Sequence, residues 1–411
     1  MLRELGGQIA DACAEAYFVG GCVRDLLLGE PLKDIDLAIS GDTFAVGRIL
    51  AREHRGHVFW LHQDEGVVRV VLPALEGLQI DLCPLRGTLE EDLRARDLTI
   101  NAMAVAAREG LHPGVPVLDP LGGQADLAAR VIRFCTPASP GSDPLRTLRA
   151  LRFRWKLDFR FAEDTEARIR DCVPLLERVS VERVRDELFQ LLAIARAHEA
   201  LAECLRMGMG RWLFGREVGA DVDAPPARVE KLLELQKEVP PEMRELLGTE
   251  PTPPRRRREV LLWAGALHSL QPAVNPAAAA RYLALSNDEK QLICKGIEGA
   301  ERLTELMARW PVAGRERYRL FRATGPAGPE AVLLHAAHAG WTPAHAELLR
   351  EALDRTLRPQ PPLLTGNEVI ELLALKPGPR VGKLLTALEE ERADGNLRSR
   401  EEAVDWLLRQ A

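Results

Sequence analysis

The chain has 411 residues, 46% hydrophobic and 28% charged, which suits a water-soluble globular protein of two or more domains with full cores. A formal charge of −6 excludes a uniformly basic nucleic-acid binder, so any such contact must come from local patches. Seven cysteines without a C-x-x-C pair argue against a disulfide framework or a zinc site and fit a cytoplasmic setting, and neither a signal peptide nor an apolar run of membrane-spanning length is read.

In chain order, a helix is expected over 2–14 and a short strand over 16–19, ended by Gly20-Gly21. The glycines permit a tight turn, and the helix expected over 23–28 presents free N–H groups beside them. Arg24 adds positive charge, so this reads as a phosphate cradle or as an ordinary strand-turn-helix link. Asp34 and Asp36 follow in a strand-like run over 34–39. Alternation puts both on one face, roughly 7 Å apart, where a cation would relieve their repulsion. Mg²⁺ prefers oxygen ligands and shares its shell with substrate phosphates, so the pair is a candidate metal site; a solvated edge strand is the alternative. More strand-like runs lie at 67–72 and 78–82. Asp81 in the second is a candidate third carboxylate that helps deprotonate a hydroxyl nucleophile, or an exposed strand aspartate.

Asp97 and Thr99 are placed to cap a helix expected over 101–106. Farther on, Asp143 and Arg146 stand three residues apart at a helix start and so share a face. Side by side they offer one acceptor and one donor to a partner. The plainer reading makes Asp143 an N-cap followed by Pro144. Arg146, Arg149 and Arg152 recur every three residues, a stripe suited to phosphates or to a solvated face.

From 143 onward strand signals nearly vanish, and helical periodicity is broken by Pro/Gly-rich stretches at 217–228, 239–254, 325–329 and 358–366. The run from Arg255 to Arg258 reads as a phosphate grip or, more simply, a solvated face. Pro377-Gly378-Pro379 precedes a helix, Asp394-Gly395 makes a turn, and Ser399 with Glu402 forms a capping box.

The run FVGGCVRDLLLG with KDIDLAI resembles motif A of the class-two tRNA nucleotidyltransferase and bacterial poly(A) polymerase family, within the polymerase-β-like superfamily. Residues 96–104, RDLTINAMA, resemble motif B, with Ala95 and Leu98 where the family has arginine and phenylalanine. Asp119 to Gly123 with Asp126 and Leu127 resembles motif C. Residues 143–153 resemble motif D, with Ser142 in place of a glutamate, and Ser180 to Arg183 with Glu187 resembles motif E. More weakly, the run from Pro377 through Leu385 and on to Trp406 and Leu407 resembles family tails.

The resemblance implies an α+β protein: a nucleotidyltransferase head with a small mixed sheet over 1–137, then an all-helical neck (138–200), body (201–357) and tail (358–411). It assigns Gly20, Gly21 and Arg24 to a triphosphate, Asp34 and Asp36 to Mg²⁺, and Arg96, Asp97 and Asn101 to ribose and phosphates. Asp143 and Arg146 would read the base in place of a nucleic-acid template, Asp143 accepting from the exocyclic amine of cytosine or adenine and Arg146 donating to the neighbouring ring acceptor, with Arg149 and Arg152 beside them. Uracil and guanine present a carbonyl there and would leave a buried acceptor unpaired. The implied activity is template-independent addition of CTP or ATP to the tRNA 3′ end with pyrophosphate release. Full CCA-adding relatives carry a flexible loop between the strand of the Asp81 position and motif B. Here only 83–90 fills that interval, which resembles CC-adding enzymes; full CCA addition, A addition, poly(A) synthesis and a catalytically dead RNA-binding protein are the alternatives. Glu182 and Arg183 of motif E, and Lys376, Arg380 and Lys383 around the tail turn, are candidate RNA contacts. The segment 261–270 faintly resembles a metal-phosphohydrolase segment, but His268-Ser269 replaces the His-Asp it needs, so no second metal site is expected and His268 reads as a plain helix histidine.

Overall fold

The structure, a computed structural model, describes residues 2–32, 34–75, 77–219 and 222–410. The chain folds into two compact units, one ending at Val179 and the other beginning at Ser180.

The first unit is built on a six-stranded mixed sheet. Its strands are β1 (Ala16–Val19), β2 (Asp34–Ile39), β3 (His57–His62), β4 (Val67–Leu72), β5 (Leu78–Pro84) and β6 (Ala104–Ala106). Their order is β3-β4-β5-β2-β1-β6, with β2 and β5 parallel and every other pair antiparallel. The helices are α1 (Leu2–Ala12), α2 (Gly21–Leu28), α3 (Thr43–Glu53), α4 (Leu89–Arg94), α5 (Gly123–Ala128), α6 (Ser139–Ser142), α7 (Leu145–Leu157) and α8 (Thr165–Cys172). Asp42 caps α3 by accepting from Phe44 and Ala45 N–H groups. Gly47 lets that helix lie on the sheet, since a Cβ there would stand 2.9 Å from Val58 and 3.1 Å from Val68. Ile35, Leu37, Val68, Val70, Ile80 and Leu82 are fully buried along the three central strands. Burying each such side chain contributes roughly 1.5–3 kcal/mol, which makes the centre of the sheet the rigid part of this unit.

Two sequence expectations change here. The helix expected over 101–106 is a 3-10 turn, Thr99–Asn101, followed by β6. Ladder bonding to β1 and burial of Ala104 and Val105 outweigh the weak local preference of an Ala-rich run. Strand β3 is an addition to the expected strands, because HVFWLH shows no clean alternation of burial.

The second unit is helical, from α9 (Val181–Ala193) to a last helix, Arg400–Leu408. Its core holds Trp263, fully buried and stacked on Phe214 with ring centroids 6.5 Å apart. Three supposed breaks contain helix: Ala224–Glu238 starts inside 217–228, Pro241–Gly248 lies inside 239–254, and 325–329 is the 3-10 turn Gly325–Ala327 running into the helix Gly328–Ala339. Proline at the first turn of each is compatible with helix because its missing N–H would be unpaired there anyway. The arginine run is not a solvated face. Arg255 binds Glu289, Arg257 binds Glu330, and Arg258 binds Glu259, while Arg256 alone of the four is exposed. The C-terminal residues keep an apolar cluster of their own, including Val369, Val381, Leu388 and Leu407. Ser399 accepts from Glu402 N–H, but Glu402 accepts from Arg398 rather than from Ser399, so the expected capping box closes one residue early.

This unit also buries a histidine pair. His335 Nδ1 lies 2.8 Å from His345 Nε2, whose Nδ1 accepts from Thr342. Burial, with the nearby His345 and His338, pushes His335 down to about 4. The unfolded chain therefore takes up a proton near pH 6.5 that the folded chain refuses until about pH 4. Unfolding free energy should be full above pH 6.5 and fall by up to about 3 kcal/mol from this residue as pH drops to 4. Urea unfolding of the parent and of His335→Gln between pH 7 and 4 checks this; parallel curves would refute it.

Candidate active site

Strand β1 ends at Gly20, whose φ of 74° and ψ of −131° suit glycine alone. The turn lies against charged groups. A Cβ on Gly20 would stand 3.1 Å from an Arg96 guanidinium nitrogen and 3.4 Å from Asp36 Oδ2. Gly20→Ala should therefore stay soluble but lose most activity, through a strained backbone and a blocked turn. Wild-type turnover in a steady-state assay of this variant would contradict that assignment.

The turn opens directly into α2, which puts the buried Arg24 under it. Arg24 donates to Asn101 Oδ1 at 2.6 Å and to Asp25 at 2.8 Å, and its guanidinium lies 5.0 Å from the centre of the Phe153 ring. Asn101 in turn donates to Asp97 Oδ1 at 3.1 Å. Asp97 also accepts from Leu98 N–H and from Arg149 at 2.9 Å. Burial pushes the Asp97 carboxyl up, but the Arg149 guanidinium and these hydrogen bonds outweigh it, so it titrates below the usual range. The 3-10 turn that replaces the expected helix carries Asn101, which joins Arg24 to Asp97.

Register puts the acidic residues in one row across the sheet. Asp36 on β2 pairs with Asp81 on β5, and Asp81 pairs with Arg69 on β4. Cross-strand partners share a face. Arg69 grips both Asp81 oxygens at 2.7 Å. The Asp36 carboxylate accepts no hydrogen bond among the described residues. Burial first, then the adjacent Asp81 and Asp34 charges, pushes it up to about 6. Asp34 is exposed at the start of the same strand.

The second cluster sits where α6 meets α7. Asp143 accepts from Leu145 N–H at 3.3 Å, a partial cap. Arg146 donates to the carbonyls of Arg96 at 3.0 Å and Ala95 at 2.6 Å, and to Ser139 Oγ at 2.7 Å. Those bonds tie the Asp143–Arg146 turn to the backbone that carries Arg96, whose side chain is held by Asp92. Arg152 is buried, 4.5 Å from the Phe153 ring centre, which rules out the solvated-face reading for it. Asp119 and Asp126 serve structure. Asp119 caps α5 through Gly123 and Gln124 N–H groups, and Asp126 binds Thr99 and Arg133.

The structure thus brings together Gly20, Gly21, Arg24, Asp36, Asp81, Arg96, Asp97, Asn101, Asp143, Arg146 and Arg149 within the first unit. Glu182, Arg183, Lys376, Arg380 and Lys383 are exposed in the second. Arg69, Asp92, Ser139 and Phe153 escape a reading of the sequence. A lone arginine in the apolar run VVRVVL is the one available signal for Arg69.

Whether a divalent metal fits can be judged from the donors. Among the described residues no group of three or more ligating side chains converges on one point. Mg²⁺, however, binds through one or two carboxylates and completes its shell with water and substrate phosphate. An unpartnered, charge-repelled Asp36 beside the Gly20-Gly21 turn meets that requirement, with Asp34 on the same strand face.

Comparison with known proteins gives consistent matches. Residues 16–87 and 68–133 match the family described as the poly A polymerase head domain, and 158–217 match that described as the probable RNA and SrmB-binding site of polymerase A. The chain is 34% identical to a CC-adding tRNA nucleotidyltransferase of Geobacter sulfurreducens, covering 96% of this chain and 91% of that one. It is 31% identical to an A-adding tRNA nucleotidyltransferase of Deinococcus radiodurans, covering 96% and 95%. Among solved structures, the CCA-adding enzyme of Bacillus stearothermophilus in complex with CTP superposes with a TM-score of 0.73 at 27% identity, covering 99% of this chain and 96% of that one.

Proposed function

This chain belongs to the class-two tRNA nucleotidyltransferase and poly(A) polymerase family, and we propose that it adds two cytidines from CTP to the 3′ end of tRNA. The row Arg69–Asp81–Asp36 beside the Gly20-Gly21 turn is the observation that carries the catalytic reading. The backbone of that turn, with Arg24 and Arg96, holds the triphosphate. Asp36 and Asp34 would hold Mg²⁺, which when bound would neutralise phosphate charge and lower the pKa of the attacking hydroxyl.

Asp81 stays oriented by Arg69 and keeps a lone pair on each oxygen for the acceptor hydroxyl. Asp81 takes the 3′-hydroxyl proton, the hydroxyl oxygen bonds to the α-phosphorus, the bond from the α-phosphorus to the oxygen bridging it to the β-phosphate breaks, and pyrophosphate leaves with that oxygen. Asp143 and Arg146 present an acceptor and a donor to the cytosine edge, in an orientation fixed by the Ala95 and Arg96 carbonyls. Asp97 and Asn101 face the ribose.

Stopping at two cytidines follows from the short interval between β5 and α4. Residues 85–88 are pinned by Leu85 N–H to the Ile39 carbonyl at 2.8 Å and by the Thr88–Glu91 capping box. A segment held this way has no slack to re-form the pocket for adenine. The division into head (1–137), neck (138–200), body (201–357) and tail (358–411) belongs to the same proposal. Glu182, Arg183, Lys376, Arg380 and Lys383 are its exposed candidates for tRNA contact; Arg380 and Lys383 share a face of the helix Pro379–Ala393.

The test supplies one labelled nucleotide at a time with Mg²⁺ and tRNA ending at the discriminator base. Two additions from CTP and none from ATP are expected. ATP incorporation onto tRNA ending in CC would favour A addition, and long A tails on generic RNA would favour poly(A) synthesis.

A further inference from the structure

The row of cross-strand partners does not stop at Arg69. Phe59 on β3 pairs with Arg69, so it lies on the face that carries Asp81 and Asp36. It is 45% exposed on the edge strand of the sheet. Its neighbour Trp60 points to the other face and stacks on Phe44 of α3, with centroids 4.8 Å apart. Trp60 thus has a structural partner, whereas among the described residues no ring or cation stacks on Phe59.

Strand order gives the row a direction. The Gly20-Gly21 turn, with the proposed triphosphate, lies on the β1 side of Asp36, and Phe59 lies on the opposite side, beyond β5 and β4. In-line displacement requires the attacking hydroxyl to enter opposite the leaving pyrophosphate. The acceptor strand therefore approaches from the Phe59 side. Phe59 is two strand spacings from Asp81, about 10 Å, roughly the span of one nucleoside.

We propose that Phe59 is a stacking platform for the 3′-terminal base of the acceptor RNA, a subsite separate from the base-reading pair Asp143 and Arg146. Stacking fits an acceptor whose terminal base changes between successive additions, because every base offers a π-face. The inference rests on the proposed function, yet its binding arm needs no catalysis.

A tRNA carrying 2-aminopurine at its 3′ end, titrated into the full-length protein without nucleotide, reads the contact directly. The parent and Phe59→Tyr should quench the fluorophore. Phe59→Ala and Phe59→Leu, which keep no ring, should lose the quench and raise the KM for tRNA about tenfold, with KM for CTP unchanged. Thermal midpoints equal to the parent's confirm intact folds. Undiminished quenching in both ring-less variants would overturn the proposal, as would a shift in the KM for CTP in place of that for tRNA. If the parent quenches but incorporates no nucleotide, the catalytic reading fails and the subsite stands.

Discussion

Asp36→Asn should abolish nucleotide addition, by about a thousandfold or more, and leave the metal-free protein more stable than the parent. The activity loss follows from removing a charged oxygen donor beside the phosphate turn. The stability gain follows from the electrostatics of the row. Asp36 is pushed up to about 6 in the folded chain, against an ordinary value near 3.8. A raised carboxylate pKa means the unfolded chain releases its proton first. Stability is therefore lost as pH rises from about 4 through 6, and the full penalty applies above that. At pH 7.5 it amounts to about 2–3 kcal/mol, which an amide does not incur. Urea unfolding at pH 7.5 without metal should give a higher midpoint for Asp36→Asn, and added Mg²⁺ should stabilise the parent alone. Substantial turnover in the variant, or a lower midpoint, would mean that the carboxylate is structural.

Arg146→Ala should erode the exclusion of UTP, cutting the ratio of kcat/KM for CTP over UTP by at least about tenfold. Its guanidinium donates to the Ala95 and Arg96 carbonyls, so the side chain is anchored near Asp143 by neutral backbone groups. Removing it frees the backbone under Arg96 as well as the base edge, so kcat for CTP should fall too. A tenfold loss in turnover with CTP:UTP selectivity intact would assign Arg146 to loop support alone.

The candidate site is partly legible in the sequence, where its residues coincide with local signals. Gly20-Gly21 before a helix and alternating aspartates in a strand read from the chain itself, whereas the base-reading role proposed for Asp143 and Arg146 comes from the resemblance to motif D. The partners that complete it do not, since pairing across a sheet joins residues distant in sequence. Arg69 and Phe59 acquire meaning only when β3, β4, β5 and β2 are laid side by side. The same limit explains the expected helix at 101–106, where tertiary burial decides between states of similar local preference. Arg255, Arg257 and Arg258 resemble a surface run because their carboxylates lie elsewhere in the chain or hide in the following turn. The tail punctuation, short-range by nature, reads well except at the last helix, where Glu402 accepts from Arg398 and not from Ser399.

Intact mass spectrometry of a tRNA ending at the discriminator base, incubated with the full-length protein, Mg²⁺ and all four nucleoside triphosphates together, tests the central claim most directly. A product heavier by two cytidylates and nothing more is the expected result. An unchanged mass, or a product that contains any nucleotide other than cytidine, would contradict it.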